Sequence, residues 1–434
     1  MTVLCPPDPP DPPDPPYPIR PAGEDEFPAI YAVGEQAFNS SWPTEASLQI
    51  ELTVFEPDRS LAAYDGARIV GTATACTFQM AVPGGLTGAA GVTGVGVLPS
   101  HRRRGILSGL MRRQLADVRD RGEVIAALYS SESAIYGRYG YGVAADNLRF
   151  TIRRGEGALL PPDPALAAGA AAGQLRLRLA EPHEPKADMA KVHDAILPGR
   201  PGMLARDARW WDYLLADPEF ARGGRCPLRC VIAEDDAGPR GYALYSVRPD
   251  WGDDAIPAGV LSVRELLASD PPATAAIWGD LLTRDLVGEV NARMRPVDDP
   301  LLHMLADPRR ARCYVTDGLW IRLIDVPGAL GQRRYAREVD VVIEVIDDVL
   351  PENSGRWRLQ AGGAGDPAGA SCRRTTAAAG VVLPVRALGA AYLGGRRLSS
   401  LAAAGQAAEL RAGDLAALSA AMSWDPAPWC PTPF

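Results

Sequence analysis

The stretch VTGVGVLPSHRRRGILSGLMRR (residues 92–113) decides the fold. Its first residues alternate as a β-strand that Pro99 stops. A basic turn then opens an amphipathic helix over 103–122, with Ile106, Leu107, Leu110, Met111, Leu115 and Val118 as its apolar stripe and Gly122 as its cap. A strand delivering the chain to a glycine-containing turn at a helix start is an anion site. Unpaired N–H groups and the positive end of the helix dipole point the same way. Arg103 and Arg104 add charge there, and Gly105 lets the backbone approach a ligand.

Upstream, residues 24–38 carry apolar positions at helical period, and 60–82 read as two strands around the turn Asp65-Gly66. Downstream, VIAALYSS (124–131) returns as a strand. Helix, antiparallel strands, helix and parallel strand make a mixed α/β domain over 19–155. Residues 156–174 are Gly/Ala/Pro-rich and read as a linker or long loop. A second cycle follows over 175–325. A helix is expected at 185–196, strands at RCVIAE, GYALYSV and AGVLSVRELLA, and a helix at 271–286. RGYALYSV after CVIAEDDAGP echoes RIVGTATA after LAAYDGA, so this segment reads as a structural repeat of the first. From 326 to 434, VDVVIEVID and RWRLQA suggest a hairpin-rich sheet, while VVLPVRALGAAYLGG and DLAALSAAMSW suggest packing helices. Residues 1–18, with the PPD triplet repeat, form an extension outside the fold.

At 434 residues, a typical domain of roughly 150 residues gives about three domains. The net charge of -8 argues against nucleic acid as main partner and suits a cationic substrate. Seven cysteines, an odd number, read as reduced thiols in a cytoplasmic protein. Cys226 and Cys230 lack companions at zinc-ligand spacing, so no metal is expected. Neither a membrane span nor a signal peptide is evident.

The R-x-x-G turn after a V-x-V strand resembles the acetyl-CoA site of GCN5-related N-acetyltransferases (the GNAT superfamily). SHRRRGIL together with SE…IYGRYGYG (131–142), DGLWIRLIDVPGAL (317–330) and a final Phe resembles the enhanced intracellular survival (Eis) family in particular. The likeness runs from about Arg20 to Phe434. It implies an α/β (α+β) chain of tandem GNAT domains followed by a sterol-carrier-protein-like domain, acting as an acetyl-CoA-dependent N-acetyltransferase in a homo-hexamer. The central domain is expected to be silent. Its ASDPP (268–272) replaces the basic turn, so Asp270 would repel a phosphate and two prolines remove donors.

By the same resemblance, the backbone of Val95, Gly96 and Val97 would pair with the pantetheine arm and polarise the thioester carbonyl. Arg103, Arg104, Gly105, Ile106, Leu107 and Ser108 would cradle the pyrophosphate, with Arg102 serving the 3′-phosphate or only solvent. Leu107 departs from the superfamily's R-x-x-G-x-G/A. Ser131 and Glu132 would lie beside the cofactor. Tyr136 is singled out as general acid toward the leaving thiolate, since a phenol keeps its proton at neutral pH. Tyr139 and Tyr141 are assigned to packing. The C-terminal carboxylate, on Phe434, would be the base. A free α-carboxylate has a pKa of about 3.5, and burial near Trp424, Trp429 and Phe434 would raise it. His101 is read as a solvated or hydrogen-bonded imidazole. Glu35, Phe38 and Trp42 are expected in the pocket for an amine, either a polycation of aminoglycoside type or a lysine-like side chain. The family's acidic pocket position falls on Ser40 and its penultimate acidic residue on Pro433, departures that bear on aminoglycoside recognition. The rival expectation is a non-catalytic acyl-CoA or lipid-binding, or drug-sequestering, protein that retains the fold.

Overall fold

The computed structural model describes residues 17–161, 175–363, 365 and 369–434. The PPD repeat and most of the 156–174 linker therefore lie outside the described residues. The first part of the chain contributes β1 (Ile19–Pro21), β2 (Leu61–Asp65), β3 (Arg68–Val82), β4 (Gly85–Val97), β5 (Ile125–Tyr129) and β6 (Gly142–Val143). With them come the helices α1 (Phe27–Ala37), α2 (Glu45–Leu52), α3 (Ile106–Asp120) and the single turn α4 (Ser133–Tyr136).

The next strands are β7 (Asp146–Arg153), β8 (Arg176–Ala180), β9 (Arg229–Asp235), β10 (Gly238–Arg248), β11 (Gly259–Ala268), β12 (Val287–Arg295) and β13 (Tyr314–Asp317). After β14 (Leu319–Leu323) come β15 (Val339–Ile346), β16 (Gly355–Ala361), β17 (Ala370–Arg374), β18 (Val381–Pro384) and β19 (Ala408–Glu409).

Three sheets result. Their orders are β1-β2-β3-β4-β5-β14-β6, β13-β7-β12-β11-β10-β9-β8 and β17-β16-β15-β18-β19. The first two share one plan: an antiparallel hairpin leads to a strand that pairs in parallel with the strand after a crossover helix. In the first this is β4 with β5 across α3, and in the second β11 with β12 across the helix Pro271–Leu282. The expected repeat is thus visible in the sheets.

The sheets do not follow the expected boundaries at 155 and 325. Strand β7, placed by sequence in the first module, pairs with β12 and β13 of the second, while β14 returns to the first sheet between β5 and β6. All five residues of β14 are buried, so the strand belongs where both its faces are covered. Its Arg322 donates to Asp347 Oδ1 and Oδ2 at 2.8 and 2.7 Å, tying the first sheet to the third. In the third module residues 381–384, expected within a helix, form β18. The β-branched run ends at Pro384, and the helix Val385–Ala391 starts only behind it. Several helices escape the sequence reading, two of which reach the site described below. One is α2, capped by Thr44 Oγ1 accepting from Ser47 N at 3.1 Å. The other is Ala208–Leu215, which buries Trp210 and Trp211.

Candidate active site

Strands β4 and β5 hold the centre of the site. Their parallel ladder ends at Gly91↔Ala127, although β4 continues to Val97 and β5 to Tyr129. On the other side of β4 the register with β3 slips between Thr72↔Gly96 and Thr74↔Thr93. This is a β-bulge, with Gly94 at φ 57° and Thr74 Oγ1 donating to Thr93 O at 2.9 Å. The bulge turns Val95–Val97 away from β5, so the two strands part. Just beyond, Gly105 caps α3 at φ 79°, a conformation a side chain would strain. Arg102, Arg103 and Arg104 are exposed around it. Arg102 reaches Ala37 O at 3.4 Å and Arg104 reaches Tyr17 OH at 2.7 Å, whereas Arg103 has no polar partner among the described residues. Ile106 is buried in the core, Leu107 is half-buried, and Ser108 Oγ lies 3.1 Å from Tyr139 OH.

His101 is fixed structurally. Nε2 lies 3.1 Å from Asp65 Oδ2 and Nδ1 2.9 Å from Ser100 Oγ, with the ring edge-on to Tyr17. Tyr17 and Pro18, grouped by sequence with the extension, therefore belong to the folded part, where Pro18 O also accepts from Tyr64 N.

Where β4 and β5 part lies a cavity of about 360 Å3. Glu35 and Phe38 are in its wall with Thr93–Val95, Ser131, Tyr136 and Phe434. Tyr136 is buried, edge-on to Tyr141 at 6.0 Å, and burial pushes its phenol up to about 12, with Tyr139 and Glu132 adding to the shift. Exposed Glu132 stands at the N-cap position of α4 without a side-chain capping bond, and the hydroxyl of neighbouring Ser130 is buried without a hydrogen-bond partner. Phe434 sits between Phe78 and Tyr129, ring centroids 5.2 and 5.3 Å away, and Gly91 leaves the room for it, since a Cβ there would stand 3.2 Å from its ring.

Two expectations are corrected. Trp42 is 71% exposed and outside the wall, because the segment before α2 turns into solvent; Ser40 lies exposed beside it. Trp424 and Trp429 are not the neighbours of Phe434, because the tail runs extended and spreads its aromatic residues apart.

Sequence reasoning missed most of the acidic wall. Glu51 and Glu56 join Glu35, with the rings of Phe27, Tyr31, Phe55 and Tyr213, and among the described residues no Lys, Arg or His lines the cavity. Burial raises the Glu35 and Glu51 carboxyls above the ordinary range. Tyr213 OH, donating to Glu51 at 3.2 Å, opposes this, and Glu35 adds to it. Tyr31 is pushed up to about 12 by burial and by both carboxylates. Burial without a counter-ion is the condition under which an arriving cation gains most.

At the matching place in the second module, Asp270 caps the helix Pro271–Leu282 itself. Its Oδ1 accepts from Ala273 N at 2.9 Å, and Oδ2 pairs with Arg240. That helix end is already occupied by a carboxylate.

A bulged strand parting from its parallel neighbour beside a glycine-capped, arginine-rich helix start defines a GNAT-type acetyltransferase. Residues 18–144 and 202–323 each match an acetyltransferase (GNAT) domain, and 326–431 match a sterol carrier protein domain. The chain is 43% identical over 420 residues to an uncharacterized N-acetyltransferase of Streptomyces avermitilis, covering 96% of this chain and 99% of that one. It is 33% identical over 390 residues to N-acetyltransferase Eis of Mycobacterium tuberculosis, covering 88% and 90%. The structure of Eis1 from Mycobacterium abscessus superposes with a TM-score of 0.78 at 32% identity, covering 96% of this chain and 100% of the other. The chain belongs to the Eis family of N-acetyltransferases.

GNAT acetyltransferases use acetyl-CoA, and the residues present fit it. The parted strands leave the β4 edge beyond Gly91 without a β5 partner, Ser130 Oγ is an unused buried group, and Gly105 with three arginines suits an anionic end. Among the described residues, no cluster of three His, Cys, Asp or Glu could hold a metal ion, and no helix is long and apolar enough to cross a membrane.

Proposed function

We propose that the enzyme acetylates an amine of a polycationic small molecule, or a lysine-like amine, by direct transfer in a ternary complex. The observation that carries this is the cavity wall. Three glutamates and no cation surround a space that also touches Tyr136 and Phe434.

Acetyl-CoA supplies the acetyl group as a thioester. The main chain of Val95, Gly96 and Val97 holds its arm, Arg103, Arg104, Gly105 and the start of α3 through Ile106, Leu107 and Ser108 hold its phosphates, and Ser131 and Glu132 flank it. Glu35, Glu51 and Glu56 hold the ammonium groups of the acceptor, with Phe38 at the rim. An ammonium of pKa near 10 cannot attack until it loses a proton. The carboxylate of Phe434 takes that proton, on a residue whose ring packs against Phe78 and Tyr129. Tyr136 holds a proton at its phenol oxygen for the departing sulfur. Because burial raises its pKa to about 12, that proton stays in place across the working pH range.

The rival lipid-binding reading has little support in the third module. Its interior is filled by buried Tyr335, Tyr392 and Arg333, whose guanidinium donates to Ala391 O and, at 2.8 Å, to Met422 O.

A thiol-release assay with acetyl-CoA against polyamines, aminoglycosides and lysine peptides tests the proposal. Turnover is expected with multiply charged amines. Acetyl-CoA binding without turnover on any of them would sink it.

A further inference from the structure

The second module resembles the first down to the parting of its parallel strands, but here a side chain of the module itself reaches across the opening. The β11–β12 ladder ends at Val263↔Ala292, while the strands run on to Ala268 and Arg295. Arg295 lies buried across the opening. Nη1 donates to Leu266 O at 2.7 Å and Nε to Asp299 Oδ2 at 2.7 Å. Arg295 and Leu266–Ser269 line a cavity of about 410 Å3 together with Trp429 of the C-terminal tail. The Trp429 ring lies 5.2 Å from the Arg295 guanidinium, Nε1 donates to Met294 O at 2.6 Å and its main-chain N to Pro201 O at 2.8 Å.

Three residues further on the tail meets a second fastening. Arg206 is buried, and its Nη1 and Nη2 donate to Glu265 Oε1 and Oε2 at 3.0 and 2.5 Å. Tyr242 OH, from the adjacent strand β10, donates to the same carboxylate. The same guanidinium donates from Nε and Nη2 to Thr432 Oγ1, at 3.0 and 2.8 Å, and Thr432 is completely buried. Thr432 O also accepts from Cys430 Sγ at 3.5 Å, Tyr129 OH donates to Cys430 O at 2.8 Å, and the ring of Phe434 meets Phe78 and Tyr129. Two residues of chain span at most about 7 Å, so the position of Thr432 sets where the end of the tail can lie. A buried ion pair of this kind contributes little net stability, but it fixes a register well.

We propose that the second module works as a clamp for the first module's active site: the Glu265–Arg206 pair holds Thr432 and thereby positions Phe434 in the acceptor cavity. The proposal rests on the reading of the Phe434 carboxylate as base. Thr432 and Arg206 are then positioning residues that act through the tail.

Thr432→Val keeps the shape of the side chain and removes the acceptor; Thr432→Ser keeps the acceptor. The expected result for Thr432→Val is a kcat lower by about ten- to a hundredfold at pH 7, with unchanged acetyl-CoA affinity. The deficit should narrow at pH 10, where the substrate amine deprotonates without help and Tyr136 still carries its proton. Thr432→Ser should recover most of the rate. Deletion of Phe434, measured beside them, should abolish turnover at pH 7 and leave acetyl-CoA binding intact. If that deletion is inactive while Thr432→Val equals wild type, the clamp is overturned and the base reading stands. If the deletion retains full rate, the base reading fails and the clamp falls with it. A Thr432→Val deficit equal at both pH values, or shared by Thr432→Ser, means packing only and overturns the clamp.

Discussion

The first and second modules have the same strand plan and opposite fates at one place. In the first, β4 and β5 part and leave a cavity, and Gly105 with exposed arginines opens the following helix. In the second, β11 and β12 part, Arg295 reaches across to Leu266 O and Trp429 joins the wall of the cavity that remains, while Asp270 accepts from the N–H of Ala273 in its own helix. One module leaves its helix start open, and the other bridges its seam with Arg295 and caps its helix with Asp270.

The widest gap between the modules should appear in Tyr136→Phe. Loss of the proposed proton donor is expected to lower kcat by on the order of 10²–10³-fold with acetyl-CoA affinity preserved, read by single-turnover kinetics and calorimetric titration. A rate within twofold of wild type would remove Tyr136 from the chemistry.

A paired experiment on the two helix starts sharpens the comparison. Gly105→Ala forces a side chain onto φ 79° and should weaken acetyl-CoA binding about tenfold. Asp270→Ala should cost about 1 kcal/mol of stability through the lost cap, seen as a lower Tm, and leave the stoichiometry at one acetyl-CoA per chain. Two sites per chain would show that Asp270 alone silences the second module.

A smaller effect is expected from the acidic wall. Glu51→Gln should raise KM for a multiply charged amine about fivefold with little change in kcat. Burial raises the Glu35 and Glu51 carboxyls, so in the wild type they lose charge at higher pH than ordinary glutamates. KM for the amine should therefore climb on acidification before pH 4.5 is reached, and Glu51→Gln should flatten that climb.

The smallest concerns the start of α1, the helix that carries Glu35. Glu26 is held down to about 2 by Arg20 first and by the Gly23 N–H, with Tyr64 OH contributing. A depressed carboxylate stabilises the fold above its unfolded pKa and loses that contribution as pH falls from about 4.5 toward 2. Glu26→Gln should cost under about 1 kcal/mol at pH 7, as exposed pairs do, and make acid unfolding less steep.

How much of this was legible depended on whether a feature is local. The segment 92–113 carries strand, turn, glycine and helix in one continuous run, so the strand, the turn and the helix could be read directly. Tyr136 and Phe434 entered through family resemblance, not periodicity. Glu51 and Tyr213 were not legible. They stand on two short helices, α2 and Ala208–Leu215, whose approach is made by tertiary packing between modules. Trp42 misled because an aromatic residue near the pocket helix looks like a wall residue until its chain direction is known. The exchange of β7 and β14 was hidden for a related reason: LWIRL is evidently a strand, but nothing within it names its neighbours.

That exchange bears on the order in which the protein can assemble. A nascent chain that has released only the first 155 residues lacks β14, the strand that separates β5 from β6, and exposes the edge of β5. Domains ordinarily fold as they leave the ribosome, the N-terminal one first. Here the first sheet must wait until residue 323 has been made, and by then β7 has paired into the second. The two modules are therefore interlaced during synthesis. Neither is a cassette that recombination could lift out and place in another protein.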